Sequence, residues 1–382
     1  MREMTPRERI QAAIALQPVD RVPVIPKLDL FPFRFQGVKL ADVVRDADLF
    51  QQAVERTNDD LGGGDAIYIG TQVINELGFA GMGTASKLPG LQLGEDEIWQ
   101  MDEQEVMLEE DYDLIKEEGW SAYLDAVYPR LGYSVPVEEL PARMRQAADR
   151  QIQDLLRWEE RGIPVYVGPG IFPSFEMLSY TRSLKATLVD IRRRPEKVSG
   201  ALAVIAREQI DGARAQAGRI REATKHGTIA GVIGATRASF LRPEQFERFF
   251  WPFLKEAVDV LIELEVTPNL HFDGDWTRYL EYLLELPQGK VVLDLDGSTD
   301  IFKAKQILSG HMCIMGDVPA SLLTLGSRDD VVAYCRNLID VVGRDNGFIL
   351  SSGCSVPIDA KPENVRALID TAKTYYPHVK EE

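Results

Sequence analysis

Apolar residues in this chain gather into short runs, and the runs recur with amphipathic stretches between them. Eight runs read as strands: 21–27 (RVPVIPK), 66–70 (AIYIG), 163–167 (IPVYV), 228–234 (TIAGVIG), 268–272 (PNLHF), 290–295 (KVVLDL), 312–316 (MCIMG) and 347–351 (GFILS). Most of them end on, or are followed directly by, Gly, Asp or Ser, the residues of turns. The stretches between them carry apolar positions at helical spacing. One such helix is expected over 41–58, and another from Arg242 to Leu264, with Pro243 suited to its first turn. Strands alternating with helices predict an α/β protein with a parallel sheet. Eight such repeats predict a (β/α)₈ TIM-type barrel. An open doubly wound sheet is the competing arrangement. No G-x-G-x-x-G follows the first run, which removes the usual support for a dinucleotide-binding fold.

Two segments break the rhythm. Residues 87–109 read as a β-hairpin excursion, with Gly90 and Gly94-Glu95-Asp96-Glu97 at turns, and 121–161 as a charged helical insertion before the third strand. Either suits a lid or a partner surface. No low-complexity tract or Ser/Gly linker divides the chain, so residues 1–382 read as a single domain.

In a barrel the chemistry sits where the strands end. The run at 268–272 delivers His271, then Asp273 and Asp275; the run at 290–295 delivers Asp294 and Asp296; the next delivers Asp317, and the last leads through Ser351-Ser352-Gly353 to Cys354. The first run delivers Lys27 and Asp29. Residues two apart on a strand face the same way, so His271 and Asp273 can share one point with Cys354. Imidazole, carboxylate and thiolate are all zinc ligands. Each residue also has a plainer reading. Asp275, Asp300 and Asp317 are placed to cap helices. Cys313 and Cys335 lie in apolar runs and read as small core residues. Cys354 differs, because it follows a turn of small residues.

Charge and cysteine content narrow the class. The net charge of -17 argues against nucleic acid, which needs clustered Lys and Arg. Three scattered Cys make no disulfide framework and fit a reducing compartment. No apolar stretch is long enough to span a bilayer, and the charged opening, with Arg2, Glu3, Arg7, Glu8 and Arg9, is unlike a secretory signal. A cytoplasmic protein without membrane contact is expected.

The opening Met4-Thr5-Pro6-Arg7-Glu8-Arg9-Ile10, then Pro18-Val19-Asp20-Arg21-Val22-Pro23, resembles the start of the uroporphyrinogen decarboxylase superfamily. So do Gly316-Asp317-Val318-Pro319 and the ending Gly347-Phe348-Ile349-Leu350-Ser351-Ser352-Gly353-Cys354 with Pro362-Glu363-Asn364-Val365. The resemblance implies a (β/α)₈ barrel. It also implies one of two activities: decarboxylation of uroporphyrinogen, or methyl transfer between a corrinoid protein and an acceptor such as coenzyme M or tetrahydrofolate. Thiol-methylating members hold zinc with a His-x-Cys pair on the fifth strand and a Cys on the eighth. His271 and Cys354 match those positions, and Asp273 stands where the first Cys belongs. A His, Asp, Cys set is competent for zinc with a fourth position open; a zinc-free branch that methylates folate is the other account of Asp273. The decarboxylases carry Arg-Gln-Ala-Gly-Arg on the first strand to grip carboxylates. Here the stretch is Pro26-Lys27-Leu28-Asp29-Leu30-Phe31-Pro32-Phe33-Arg34, whose Phe residues suit a flat or apolar group.

Together these imply a corrinoid-linked methyltransferase working with a corrinoid-carrying partner protein and a small-molecule acceptor. His271, Asp273 and Cys354 would be its catalytic and metal-binding residues. Lys27, Asp29, Asp294, Asp296 and Asp317 would bind substrate. A uroporphyrinogen decarboxylase and a non-catalytic tetrapyrrole or corrinoid binder are the alternatives. A homodimer is expected.

Overall fold

The structure is a computed structural model and describes residues 2–72 and 75–376. Its central sheet is parallel and runs Ala230–Ala235, Thr267–Phe272, Val292–Leu295, Cys313–Val318 and Phe348–Ser352, each strand bonded to the next. Three extended segments continue it into a ring. Ala230 N donates to Tyr166 O (2.7 Å), and Tyr166 N donates to Ile67 O (2.7 Å). Asp65 N donates to Val24 O (2.7 Å), and Ile25 N donates to Leu350 O on the last strand (2.9 Å). Segments near 24, 67 and 166 thus supply the first three staves of an eight-stranded barrel, where the apolar runs placed them. The open doubly wound alternative is excluded by this closure.

Parallel strands in such a barrel are covered on both faces, which is why they read as continuous apolar runs. The outer wall is made by helices such as Pro195–Ala223, whose buried Val198, Ala201, Leu202 and Ile205 repeat at helical spacing. The helix Pro6–Ile14, capped by Thr5 and Glu8 in a reciprocal box, puts Ile10, Ala13 and Ile14 in one cluster with Ile25, Val292, Cys313, Met315 and Ile349. It closes the end of the barrel where the strands begin. Asp65, fully buried there, pairs with Arg9 (2.5 Å) and Arg21 (2.8 Å) and accepts from Val24 N (2.8 Å).

Two expected helices are each broken in two. In place of 41–58 there are Leu40–Arg45 and Ala47–Leu61, because Asp46 turns its carboxylate onto the N–H groups of Asp48 and Leu49 and starts a new helix. In place of 242–264 there are Pro243–Phe249 and Trp251–Glu263; Pro252 has no N–H to continue the ladder and crowds the turn before it. Between the second and third staves, Ala85–Lys87 pairs antiparallel with Gln100–Asp102. The helices Trp120–Leu131 and Leu140–Glu160 follow. The second of these buries Trp158, whose Nε1–H donates to Gly70 O (3.1 Å) at the end of the second stave. Among the described residues no helix is long and apolar enough to cross a membrane.

Candidate functional site

On Thr267–Phe272, Leu270 and Phe272 join the outer core while Asn269 and His271, on the other face, look into the barrel. Register places His271 beside Asp294 of the neighbouring strand. The His271 Nδ1 and Asp294 Oδ2 atoms are 2.8 Å apart. That contact leaves Nε2 aimed at the mouth, 3.7 Å from Cys354 Sγ and 3.4 Å from Asp273 Oδ1. One donor atom each from His271, Asp273 and Cys354 lie within 4.8 Å of one another.

Cys354 reaches this point because of the turn before it. A side chain on Gly353 would place its Cβ 2.4 Å from Asp296 O, so only glycine lets the two loops approach so closely. The first stave fastens the same turn: Val356 N donates to Lys27 O (2.7 Å), and Lys27 Nζ donates to Ser352 O (2.6 Å) and Gly353 O (3.0 Å).

Beneath the three donors lies a buried charged layer. Lys27 Nζ is 2.7 Å from Asp294 Oδ1. Asp294 Oδ2 also accepts from Tyr68 O–H (3.2 Å) and Asn269 Nδ2 (3.2 Å). Burial pushes the Asp294 carboxyl up, but Lys27 and His271 more than offset it and hold the group below the ordinary carboxylate range. Burial likewise opposes charge on His271; Asp294, with hydrogen bonds to Asp273 and Cys354, overrides it and raises the imidazole well above its ordinary value. Tyr68 is raised by burial and by Asp294, so it remains a neutral donor.

This layer corrects the sequence reading of Lys27 and Asp294 as substrate contacts. Both are buried, at 3% and 0% exposure, and they are bonded to each other. Asp294 contacts His271, and Lys27 contacts Asp294. Asp317 is corrected in the same way. It is buried and accepts from Tyr334 O–H (2.9 Å) on the outer helix Arg328–Val341, and it caps no helix, since Pro319 precedes the next one. Phe31 and Phe33 offer no flat surface to a ligand, because the short helix Phe31–Phe35 buries both. Asp296 remains at the rim, where it accepts from Gly274 N (2.9 Å) and Ser298 N (2.7 Å) and pins two loops. Asp29, at φ 44°, accepts from Ser355 Oγ (2.6 Å) beside Cys354; burial raises its carboxyl pKa against that bond. Asp300 does cap a helix, accepting from Phe302 N and Lys303 N, and Asp275 accepts from Thr277 N (2.9 Å).

Tyr68, Asn269, Thr236 and Glu176 belong to this neighbourhood and were not foreseen. Asn269 alone had a signal, since it lies two residues before His271 and so faces the same way. Two clefts lie away from the mouth, about 940 Å³ against Leu184, Leu188 and Arg192 and about 890 Å³ against Arg45, Arg145 and Arg150. Neither is lined by a His or a Cys.

Burial pushes the Asp317 carboxyl up to about 6 from an ordinary 3.8, against the Tyr334 bond. Its folded state therefore favours the neutral form. The stability this contributes is complete below the unfolded pKa and is lost as pH rises through about 6. Asp317→Asn, always neutral, should unfold at higher urea than wild type above pH 6, by on the order of 2 kcal/mol, and match it near pH 4. Parallel stability curves across that window would contradict the assignment.

A sequence profile of the uroporphyrinogen decarboxylase (URO-D) family matches residues 167–375. That is more than half of the chain, and the chain belongs to this family. Among the curated relatives it resembles are proteins of two activities. Over 157 residues it is 28% identical to a uroporphyrinogen decarboxylase of Anaeromyxobacter dehalogenans, covering 41% of this chain and 44% of the relative. Over 149 residues it is 27% identical to the methylcobamide:CoM methyltransferase MtbA of Methanosarcina acetivorans, covering 39% and 42%. The matched stretches thus span less than half of each of these two relatives. A methyltransferase from Methanosarcina mazei shares the fold, with a TM-score of 0.68 at 18% identity over 97% of this chain and 99% of that one.

Proposed function

We propose that the chain moves a methyl group between a corrinoid on a partner protein and a small-molecule acceptor, with zinc held by His271, Asp273 and Cys354. The observation that carries this is the convergence of three different ligand types within 4.8 Å above a carboxylate that fixes His271 from behind. The two spacings from His271 suit the metal. Tetrahedral zinc with bonds of about 2.0–2.3 Å sets its ligands about 3.3–3.8 Å apart; His271 Nε2 lies 3.4 Å from Asp273 and 3.7 Å from Cys354. The His271–Asp294 contact is the carboxylate partner that metal-bound histidines ordinarily have.

Zinc bound there would supply the charge that keeps an acceptor thiol ionised at neutral pH. The remaining work falls to the chain. Asp294 fixes the imidazole through Nδ1, leaving Nε2 as the outward ligand atom. Lys27 balances the Asp294 charge. Gly353 and the Lys27 bonds to Ser352 and Gly353 hold Cys354 over the same point. A corrinoid would supply the methyl group as an electrophile, so the acceptor would be the nucleophile, and the carboxylates of this mouth would orient the acceptor's N–H or O–H groups.

Decarboxylation of uroporphyrinogen fits less well. That substrate needs free cations to receive its carboxylates, and of the two cations of the first stave Lys27 is spent on Asp294 and Arg21 on Asp65. The test is a paired anaerobic assay. Methylcobalamin with a thiol or tetrahydrofolate should give methylated acceptor, while uroporphyrinogen should yield no coproporphyrinogen. The opposite pattern would replace this reading with the decarboxylase.

A further inference from the structure

We propose that Glu176 is a positioning residue for the mouth: its carboxylate holds the turn after the strand Ala230–Ala235, and that turn aims Asp273 through Thr236. Glu176 lies on the helix Ser174–Arg182 and is 1% exposed. A fully buried acid with no cationic side chain hydrogen-bonded to it is costly, and such groups persist where they hold something in place. Glu176 accepts from three consecutive backbone donors, Thr236 N (3.2 Å), Arg237 N (3.1 Å) and Ala238 N (2.8 Å). From the same turn Thr236 Oγ1 donates to Asp273 Oδ2 (3.2 Å), while Asp273 Oδ1 faces His271. Asp273 N in turn donates to Ala235 O (3.0 Å). One carboxylate oxygen of Asp273 is therefore tied to the Glu176 turn, and the other is left for the centre of the site.

The surroundings support a holding role. Arg237 does not neutralise Glu176 directly; its guanidinium is spent on Ser179 O (2.7 Å), Glu103 (3.3 Å) and the Tyr180 ring (4.2 Å to the centroid). Tyr180, itself raised by burial and by Glu176 and Asp273 with Arg237 and a hydrogen bond with Thr236 opposing, stands beside the same turn as a neutral hydroxyl. Burial, opposed by the three N–H groups and Arg237, pushes the Glu176 carboxyl up to about 7. The turn's anchor thus loses its charge within the neutral range, which gives a readout that simple packing would not move.

The inference rests on the zinc reading only for its second measurement. The first is amide hydrogen exchange of metal-free protein at residues 236–238, corrected for the intrinsic pH effect. Wild type should be better protected at pH 8 than at pH 6. Glu176→Gln, which has the same size but presents an N–H₂ where an acceptor is needed, should exchange about tenfold faster at pH 8 and show no such pH dependence. Unchanged exchange in Glu176→Gln overturns the proposal whether or not zinc binds. The second is zinc affinity by competition with a chromophoric chelator. Glu176→Gln should weaken it by about tenfold, and Thr236→Val, which leaves the turn's backbone bonds intact, should weaken it to a similar degree. In the Thr236→Val background Glu176→Gln should then add nothing; additive losses would overturn the path through Thr236. Wild type that binds no zinc contradicts the function proposed above, and the exchange measurement then decides the role of Glu176 alone.

Discussion

Asp294→Asn is expected to weaken zinc binding by about 10–100-fold and to destabilise the fold by about 3–5 kcal/mol. The two losses have separate causes. His271 keeps a hydrogen-bond acceptor in the variant but loses the negative charge that fixes and polarises its ring. Lys27, buried at 3% exposure, loses its counter-ion, and an uncompensated buried charge is the costly outcome of breaking such a pair. A second change separates them. Lys27→Met with Asp294→Asn removes the stranded charge, so stability should recover in part, short of the lost Lys27 bonds to Ser352 and Gly353, while zinc affinity stays low. Titration with zinc and urea unfolding of the three proteins read both effects. A single Asp294→Asn variant that matches wild type in both would remove Asp294 from the account.

The other large effect is expected at the opposite end of the barrel and in stability alone. Asp65→Ala leaves the buried Nη1 of Arg9 unpaired although Asp20 still holds its Nε and Nη2 (2.6 and 2.7 Å), removes the carboxylate from Arg21, and orphans the Val24 N–H. The cost should be about 3–5 kcal/mol, seen as a shift of the urea midpoint without a change in slope. Zinc affinity of the folded variant should be unchanged, because Asp65 sits where the strands begin and the ligand set where they end. A loss below about 1 kcal/mol, the range of an exposed ion pair, would mean that the cluster is effectively solvated.

The barrel was legible because its staves are buried on both faces and so appear as uninterrupted apolar runs. The helix breaks at Asp46 and Phe250 were not, because a stretch that is amphipathic throughout hides a cap or a proline that interrupts only the backbone ladder. The convergence of His271, Asp273 and Cys354 followed from strand period and from the turn of small residues before Cys354. The role of Asp294 did not, since it depends on the lateral register that sets Asp294 beside His271. A list of strand-end acids cannot separate an acid facing the solvent from one beneath the histidine. Phe31 and Phe33 misled for a similar reason: they follow the first stave, but a short helix folds them into the core. Glu176 had no sequence signal, because its partners lie 60 to 62 residues away and are backbone groups.

Metal content tests the ligand set most directly. Protein purified without chelators should carry about one zinc per chain by elemental analysis, the number a single tetrahedral site holds. Cys354→Ala should carry none and lose methyl transfer with it, while its fold survives. Asp273→Cys should retain zinc or hold it more tightly, since thiolate is the softer ligand. Wild type without zinc, together with Cys354→Ala that transfers methyl groups at the wild-type rate, would contradict the metal site and leave His271, Asp273 and Cys354 without the role assigned to them.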